Sequence, residues 1–385
     1  MSELASTGEI PVALRTRPRE RFDPFSAEFR SDPHAVYRRF LRSDPVHWGA
    51  PPIPRLDGSW YVFRYADVTA ALKDPRLVRE PQRVSGHSSL PPAPEPIRPY
   101  CEMVRRWMLF RDPPEHERLR SLLGLIFTPR RVQDLEPQID ALARELLERL
   151  PAHGEVDLME AFALPLPVIV ISRLLGLPLG DRDRLRGWSR TLVEAIDLRQ
   201  DDGGLEAAGR TAVELEEYLR PIVRERRQRP RADAISALAE LWDRGLMDED
   251  EVVANCALLI FAGHETTVNL LGSGVLALLG HPQELAKLRE RPELWPGAVE
   301  EILRFDGPIQ LTFRFAGEDL RLGDRDVRRG QSVALVLASA NRDPAAFPDP
   351  DRLDVERCGA RHLGLGLGIH FCLGAALARA EARIA

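Results

Sequence analysis

Between residues 113 and 307 apolar side chains recur mostly at helical spacing, as in IDALARELLERL over Ile139–Leu150. The longest such run lies between Met247 and Pro282. Asp248 with Glu251 three residues later forms a capping-box signature at its start, and Gly280-His281-Pro282 stops it. The spacing predicts one helix of about 32 residues, roughly 48 Å long at 1.5 Å per residue. A helix apolar on most faces belongs in the core. Elsewhere the period changes. Trp60–Phe63 after the Asp57-Gly58 turn reads as a strand, and Phe313–Ala340 turns β-like, with SVALVLA over Ser332–Ala338. A loop-rich stretch follows, then a last helix beginning near Cys372. Six prolines between Pro81 and Pro99 predict a long mobile loop, of the kind that often carries function. Residues 1–30 are polar and Pro/Arg-rich, a loose arm above all over residues 1–20. With no repeats and no linker, residues 1–385 read as a single domain, mostly α with a small β part.

Composition narrows the function. With 44% hydrophobic and 29% charged residues, the chain has globular rather than disordered character. A net charge of −6 provides no global basic field for nucleic acid. Lys73 and Lys287 are the only lysines, so nearly all basic residues are arginine, a bias that points to a GC-rich genome more than to a site. The cysteines (Cys101, Cys256, Cys358 and Cys372) are widely spaced, which excludes a disulfide framework and favours a reducing, cytoplasmic setting. The nearest candidate for a membrane span, Ala161–Gly180, is broken by Pro165, Pro167, Arg173 and Pro178, and the N-terminus has no signal-peptide core. No membrane partner is expected.

Four clusters could carry chemistry. In mid-helix, Ala262-Gly263-His264-Glu265-Thr266-Thr267 places a carboxylate and a glycine where an apolar core helix tolerates neither well. Ala262 and Thr266 share a face at i,i+4. The cluster reads either as a locally opened helix facing a polar ligand or water, or as a threonine bonded back to a carbonyl beside a glutamate reaching solvent. His264 reads as packing. Glu301 and Arg304 lie side by side at i,i+3, a spacing most often seen in surface ion pairs. His116 and Arg120 share a face after Asp112-Pro113-Pro114-Glu115 and could hold one anion or simply face solvent.

The fourth cluster, His362–Gly374 (HLGLGLGIHFCLG), is the most informative. It fails the dinucleotide fingerprint, since Ile369 and Phe371 stand where the last glycine would be needed. Its glycines let backbone approach something flat and large. Cys372 stands at the expected start of the helix Leu373–Ala385, where free N–H groups favour a thiolate suited to ligating a metal. The alternative is a buried structural cysteine beside a turn.

Together these motifs resemble the cytochrome P-450 family, the haem-thiolate monooxygenases, in family order over roughly residues 20–385. The loop is similar to F-x-x-G-x-x-x-C-x-G, with Gly366, Gly368 and Gly374 around Cys372 as axial iron ligand. Ala262–Thr267 resembles the oxygen-binding groove, and Glu301/Arg304 the E-x-x-R pair. Pro350-Asp351-Arg352-Leu353 resembles the segment supplying the third member of that network, which would be Arg352. His116, Arg120, Arg314 and His362 match the contacts to the haem propionates.

The resemblance implies a triangular helical prism with minor antiparallel sheets, haem b as cofactor, and monooxygenation of an apolar small molecule, with secondary-metabolite tailoring as the family-level guess. It implies electrons from a ferredoxin and its NAD(P)H reductase, with Glu265 and Thr266 delivering protons, in a cytoplasmic monomer. The pocket walls would come from Pro81–Pro99, residues near 160–220, Ala257–Phe261 and Pro308–Thr312. Two departures stand out. Leu365 occupies the position where the family usually has phenylalanine, and the expected β-hairpin beyond the last helix lies past Ala385. Against the enzyme reading stand a haem-free helper, an inactive truncated form, and a peroxide-driven enzyme. The helper would lack Cys372, and the peroxide user has no need of Glu265 with Thr266.

Overall fold

The computed structural model describes residues 21–51, 56–84, 93–196 and 202–385. Its axis is the helix Glu249–Gly280, 32 residues long. The capping box forms as expected: the Asp248 carboxylate accepts from the Glu251 N–H at 2.7 Å, and the Asp248 N–H donates to the Glu251 carboxylate at 3.2 Å. This central helix is buried from Val252 to Ile260 and packs against the helices Pro165–Leu175, Arg182–Ile196, Asp202–Gln228 and Trp295–Asp306. The largest apolar cluster gathers there, from Tyr100 and Trp107 through Leu215 and Leu219 to Leu258 and Leu259.

The β part is small. Strands β1 (Val46–Gly49), β2 (Ser59–Val62), β3 (Leu77–Val78), β4 (Thr312–Ala316) and β7 (Ser332–Leu335) form one sheet in the order β1-β2-β7-β4-β3. Strands β5 (Leu320–Leu322) and β6 (Arg325–Val327) pair separately. The sheets are not wholly antiparallel, because β2 runs parallel to β7 with Tyr61 opposite Ala334. The register of β4 on β7 sets Thr312 opposite Leu335 and Arg314 opposite Val333. Among the described residues, no helix is long and apolar enough to cross a membrane.

Several expectations shift. The arm over residues 1–20 lies outside the described residues, but the rest of the stretch is structured, with the helix Ala27–Ser31 capped by the Ser26 hydroxyl. The described ends of the proline-rich loop fold into short turns at Pro81–Arg83 and Glu95–Ile97, and a helix starts at Arg98, one residue before Pro99. Residues 85–92 of that loop lie outside the described residues. The strand expected over Ser332–Ala338 ends at Leu335, and Leu337–Ala340 coils into a helical turn. The last helix begins at Ala375, not Leu373.

That last helix carries an unusual group. Glu381 is buried, and its Oε2 has no hydrogen-bond partner. Burial pushes its carboxyl up to about 8. The folded chain therefore holds this proton up to about pH 8, while an unfolded chain releases it near the ordinary carboxylate value. Stability should fall as pH rises through this window, by at most about 5 kcal/mol. Glu381→Gln should flatten the dependence of melting temperature on pH between 5 and 8 (~3 units of pH). An unchanged slope would show that Glu381 does not titrate in this window.

Candidate active site

The cysteine loop is shaped by close backbone approaches. Gly366 and Gly368 sit at φ +71° and +72°, a region side chains disfavour. A Cβ on Gly368 would lie 2.6 Å from the Leu72 carbonyl oxygen, with the Lys73 Cα 3.8 Å away. A Cβ on Gly364 would lie 2.6 Å from the carbonyl oxygen of Leu303, so the loop rests directly on the helix Trp295–Asp306. Gly374 needs neither freedom: it has ordinary φ, caps the last helix, and its nearest neighbour would be Phe127 at 3.9 Å. Leu365 is half-buried, and its carbonyl accepts from the Cys372 N–H at 2.9 Å.

Cys372 precedes the helix by three residues instead of opening it. Burial pushes its thiol up, opposed by a hydrogen bond from the Gly374 backbone and by the charges of Arg120 and Arg379. Without a metal, burial outweighs the expected thiolate stabilisation.

A cluster of cations stands beside this loop. Arg120 donates to the Phe371 carbonyl. His116 is buried with both ring nitrogens unpartnered, and its ring centroid lies 4.2 Å from that of His370. Arg314, buried on β4, donates to the Phe313 carbonyl at 2.7 Å and to the Thr312 hydroxyl at 3.2 Å. Arg79 donates to the same hydroxyl at 2.9 Å. Burial lowers His116 to about 4 and Arg314 to about 10, and it lowers His370 as well; Arg79 and Arg120 push both histidines further down. Nearby, the buried Asp112 carboxylate accepts from the Arg79 and Glu80 backbone N–H groups.

His362 is not part of this cluster. Its Nε2 lies 3.0 Å from Glu300 Oε2, and its Nδ1 accepts from the Gly364 N–H. Burial would raise the Glu300 carboxyl, but Arg379, bound through two hydrogen bonds, and His362 hold it down at about 2. The histidine among the cations is His370, two residues before Cys372. Sequence reading passed over it because alternation in the loop does not say which side chain turns inward.

On the central helix, Ala262 is exposed although the preceding turns are buried. The helix is not broken there. The Thr266 hydroxyl donates to the Ala262 carbonyl at 3.2 Å, which is the back-bonded alternative. Glu265 is half-buried; burial raises its carboxyl, opposed by Arg186 and Arg190. At Gly263 a Cβ would meet Ile171 Cδ1 at 2.7 Å, so the crossing helix packs closely there. His264 is a buried packing residue with Nδ1 2.8 Å from the Ile260 carbonyl.

Beneath the loop, Glu301 and Arg304 are each 3% exposed, so they are not a surface pair. Arg304 Nε donates to Glu301 Oε2 at 2.7 Å and Nη2 to Oε1 at 2.8 Å. Its remaining hydrogens reach the carbonyls of Asn341, Pro350 and Arg352. The third side chain of the network is Arg357, whose Nε donates to Glu301 Oε1 at 3.1 Å. The Arg352 side chain is exposed, and the residue contributes only its carbonyl.

A family model described as Cytochrome P450 matches residues 202–292 and 293–385. Cytochrome P450 107B1 of Saccharopolyspora erythraea is 42% identical over 383 residues, covering 99% of this chain and 90% of that protein. The chain belongs to the cytochrome P450 family. The vitamin D(3) 25-hydroxylase of Pseudonocardia autotrophica is also 42% identical, over 97% of this chain and 89% of its own length. Among solved structures, P450BioI bound to an acyl carrier protein carrying hexadec-9Z-enoic acid superposes with TM-score 0.86 at 37% identity, covering 93% of this P450 and 91% of that chain.

Members are haem-dependent monooxygenases that take electrons from redox partners, and this P450 binds haem b through a cysteine thiolate. The residues present fit that group. Unpartnered nitrogens of His116 and a surplus of guanidinium charge suit anionic carboxylates, and glycines at positive φ let the loop lie close to a flat ring.

Proposed function

We propose that this P450 oxidises an apolar small molecule of multi-carbon skeleton, as in the tailoring of secondary metabolites, with Cys372 as axial ligand. Support for the substrate class comes from relatives: one is named as a polyketide-biosynthesis cytochrome P450 of Bacillus subtilis and another as the vitamin D(3) 25-hydroxylase. We further propose a single domain over residues 1–385, a cytoplasmic monomer, and a ferredoxin-type electron donor. The observation that carries the site assignment is Cys372 lying beside Arg120, with His116 buried nearby and both its ring nitrogens unpartnered.

When bound, haem supplies O₂ activation driven by its thiolate ligand. The chain supplies the rest. Arg120 and Arg314 would neutralise the carboxylates of the ring, and His116 and His370 would offer them N–H donors; His362 instead locks Glu300 and Arg379 behind the loop. Gly366 and Gly368 keep the loop flat, and Leu365 fixes the Cys372 amide. Ala262 leaves room on the central helix for a small ligand. The Thr266 hydroxyl can exchange its long bond to Ala262 for one to such a ligand. Glu265, raised by burial but close to cations and solvent, can pass protons inward.

Reduction under carbon monoxide tests the assignment: the long-wavelength Soret band of thiolate-ligated ferrous haem is expected, and failure to take up haem would favour the helper reading. Thr266→Ala should leave NAD(P)H consumption largely intact while peroxide replaces product, lowering coupling by about tenfold. Unchanged coupling would make Thr266 purely structural.

A further inference from the structure

Two guanidinium groups converge on one oxygen beside the cysteine loop. Arg79 Nη2 and Arg314 Nη1 lie 2.9 Å and 3.2 Å from the Thr312 hydroxyl oxygen. A hydroxyl cannot offset two cations, and among the described residues no carboxylate bonds to either guanidinium. The Arg79 Nε is sealed from solvent without a partner. Asp112 is near, but its oxygens are taken by backbone N–H groups of Arg79 and Glu80. Glu80 is engaged elsewhere, between Arg83 at 3.8 Å and Arg111 at 3.5 Å. The cluster sets the guanidinium groups of Arg79, Arg120 and Arg314 against the single carboxylate of Asp112. Like charges at this spacing persist in a partly buried site only if anions compensate them.

The two carboxylates of haem b balance this surplus, and only if Arg79 is counted. We propose that Arg79 is a third arginine anchoring a haem carboxylate, alongside Arg314. Its position follows from the fold: it immediately follows β3, whose pairing with β4 sets Val78 opposite Phe315 and so brings Arg79 alongside Thr312 and Arg314. The Asp112 clamp on its backbone fixes where the side chain starts, and its guanidinium lies 5.9 Å from the Phe110 ring centroid. The inference rests on the reading of the cation cluster as the carboxylate site.

The test uses the purified holoenzyme and measures haem transfer to excess apomyoglobin together with the reduction midpoint. Arg79→Gln should speed haem loss by about tenfold, the value of one charge-assisted hydrogen bond, and lower the midpoint by removing a cation near the iron. Arg79→Lys should recover most of both. A merely structural role would leave the midpoint unmoved and would not discriminate lysine from glutamine. Arg314→Ala and His116→Ala serve as references. If they speed haem loss and Arg79→Gln does not, Arg79 is no anchor. If none of the three changes haem loss, the cluster does not bind the carboxylates and the underlying reading fails instead.

Discussion

Glu301→Ala should yield little soluble, haem-loaded protein. Glu301 is the carboxylate between two guanidinium groups, those of Arg304 and Arg357, and it also accepts from the Asp354 N–H at 2.9 Å. Removing it leaves the buried cation of Arg304 with carbonyls alone. Stranding one partner of a buried pair costs roughly 3–5 kcal/mol. Against a total stability of about 5–15 kcal/mol, that loss can empty the folded state. The soluble yield and the ratio of Soret to protein absorbance measure it. Arg357→Ala should be comparably damaging, whereas Arg352→Ala should change stability by no more than about 0.5 kcal/mol, because it keeps the carbonyl and loses only an exposed side chain. A haem-loaded Glu301→Ala variant with near-native melting would overturn this account, and so would damage from Arg352→Ala equal to that from Arg357→Ala.

Cys372→Ala should abolish the thiolate band of the reduced carbon monoxide complex while much of the fold survives. Cys256 is fully buried in the central helix, Cys358 is exposed with its sulfur 3.6 Å from the Glu356 carbonyl, and Cys101 lies on the helix Arg98–Arg106. None of them belongs to the glycine loop. The cation cluster is untouched by the substitution, so haem should still enter, held more weakly. A normal thiolate band in this variant would mean that another cysteine ligates the iron.

Features encoded by neighbours in sequence were legible. The central helix announced its cap through Asp248 and Glu251 and its end through Gly280-His281-Pro282, and each formed. The glycines of the cysteine loop were legible because positive φ and close backbone approach demand that residue. The errors fall where long-range geometry chooses among similar candidates a few residues apart. Arg352 and Arg357 both follow the same proline-rich turn, and only the path of the irregular chain decides which side chain faces Glu301. His362 and His370 flank the same loop, and the pull of Glu300 and Arg379 draws the first away. Arg79 gave no local signal, because its partner Arg314 lies across a strand pairing that spacing cannot specify. The close passage of Ile171 at Gly263 likewise gave no signal, because it belongs to a crossing helix far away in sequence.

The near absence of lysine has a practical consequence at the cysteine loop. Lys287 is held by Glu284 at 3.0 Å and by Glu356 at 3.1 Å, on a helix remote in sequence from the loop. Lys73 is exposed, and its backbone borders Gly368. Amine-directed reagents thus find very few targets, and one of them sits at the rim of the loop that would carry the iron ligand. A fluorophore or cross-linker placed on Lys73 would report on any protein that approaches that rim, with little background from other lysines.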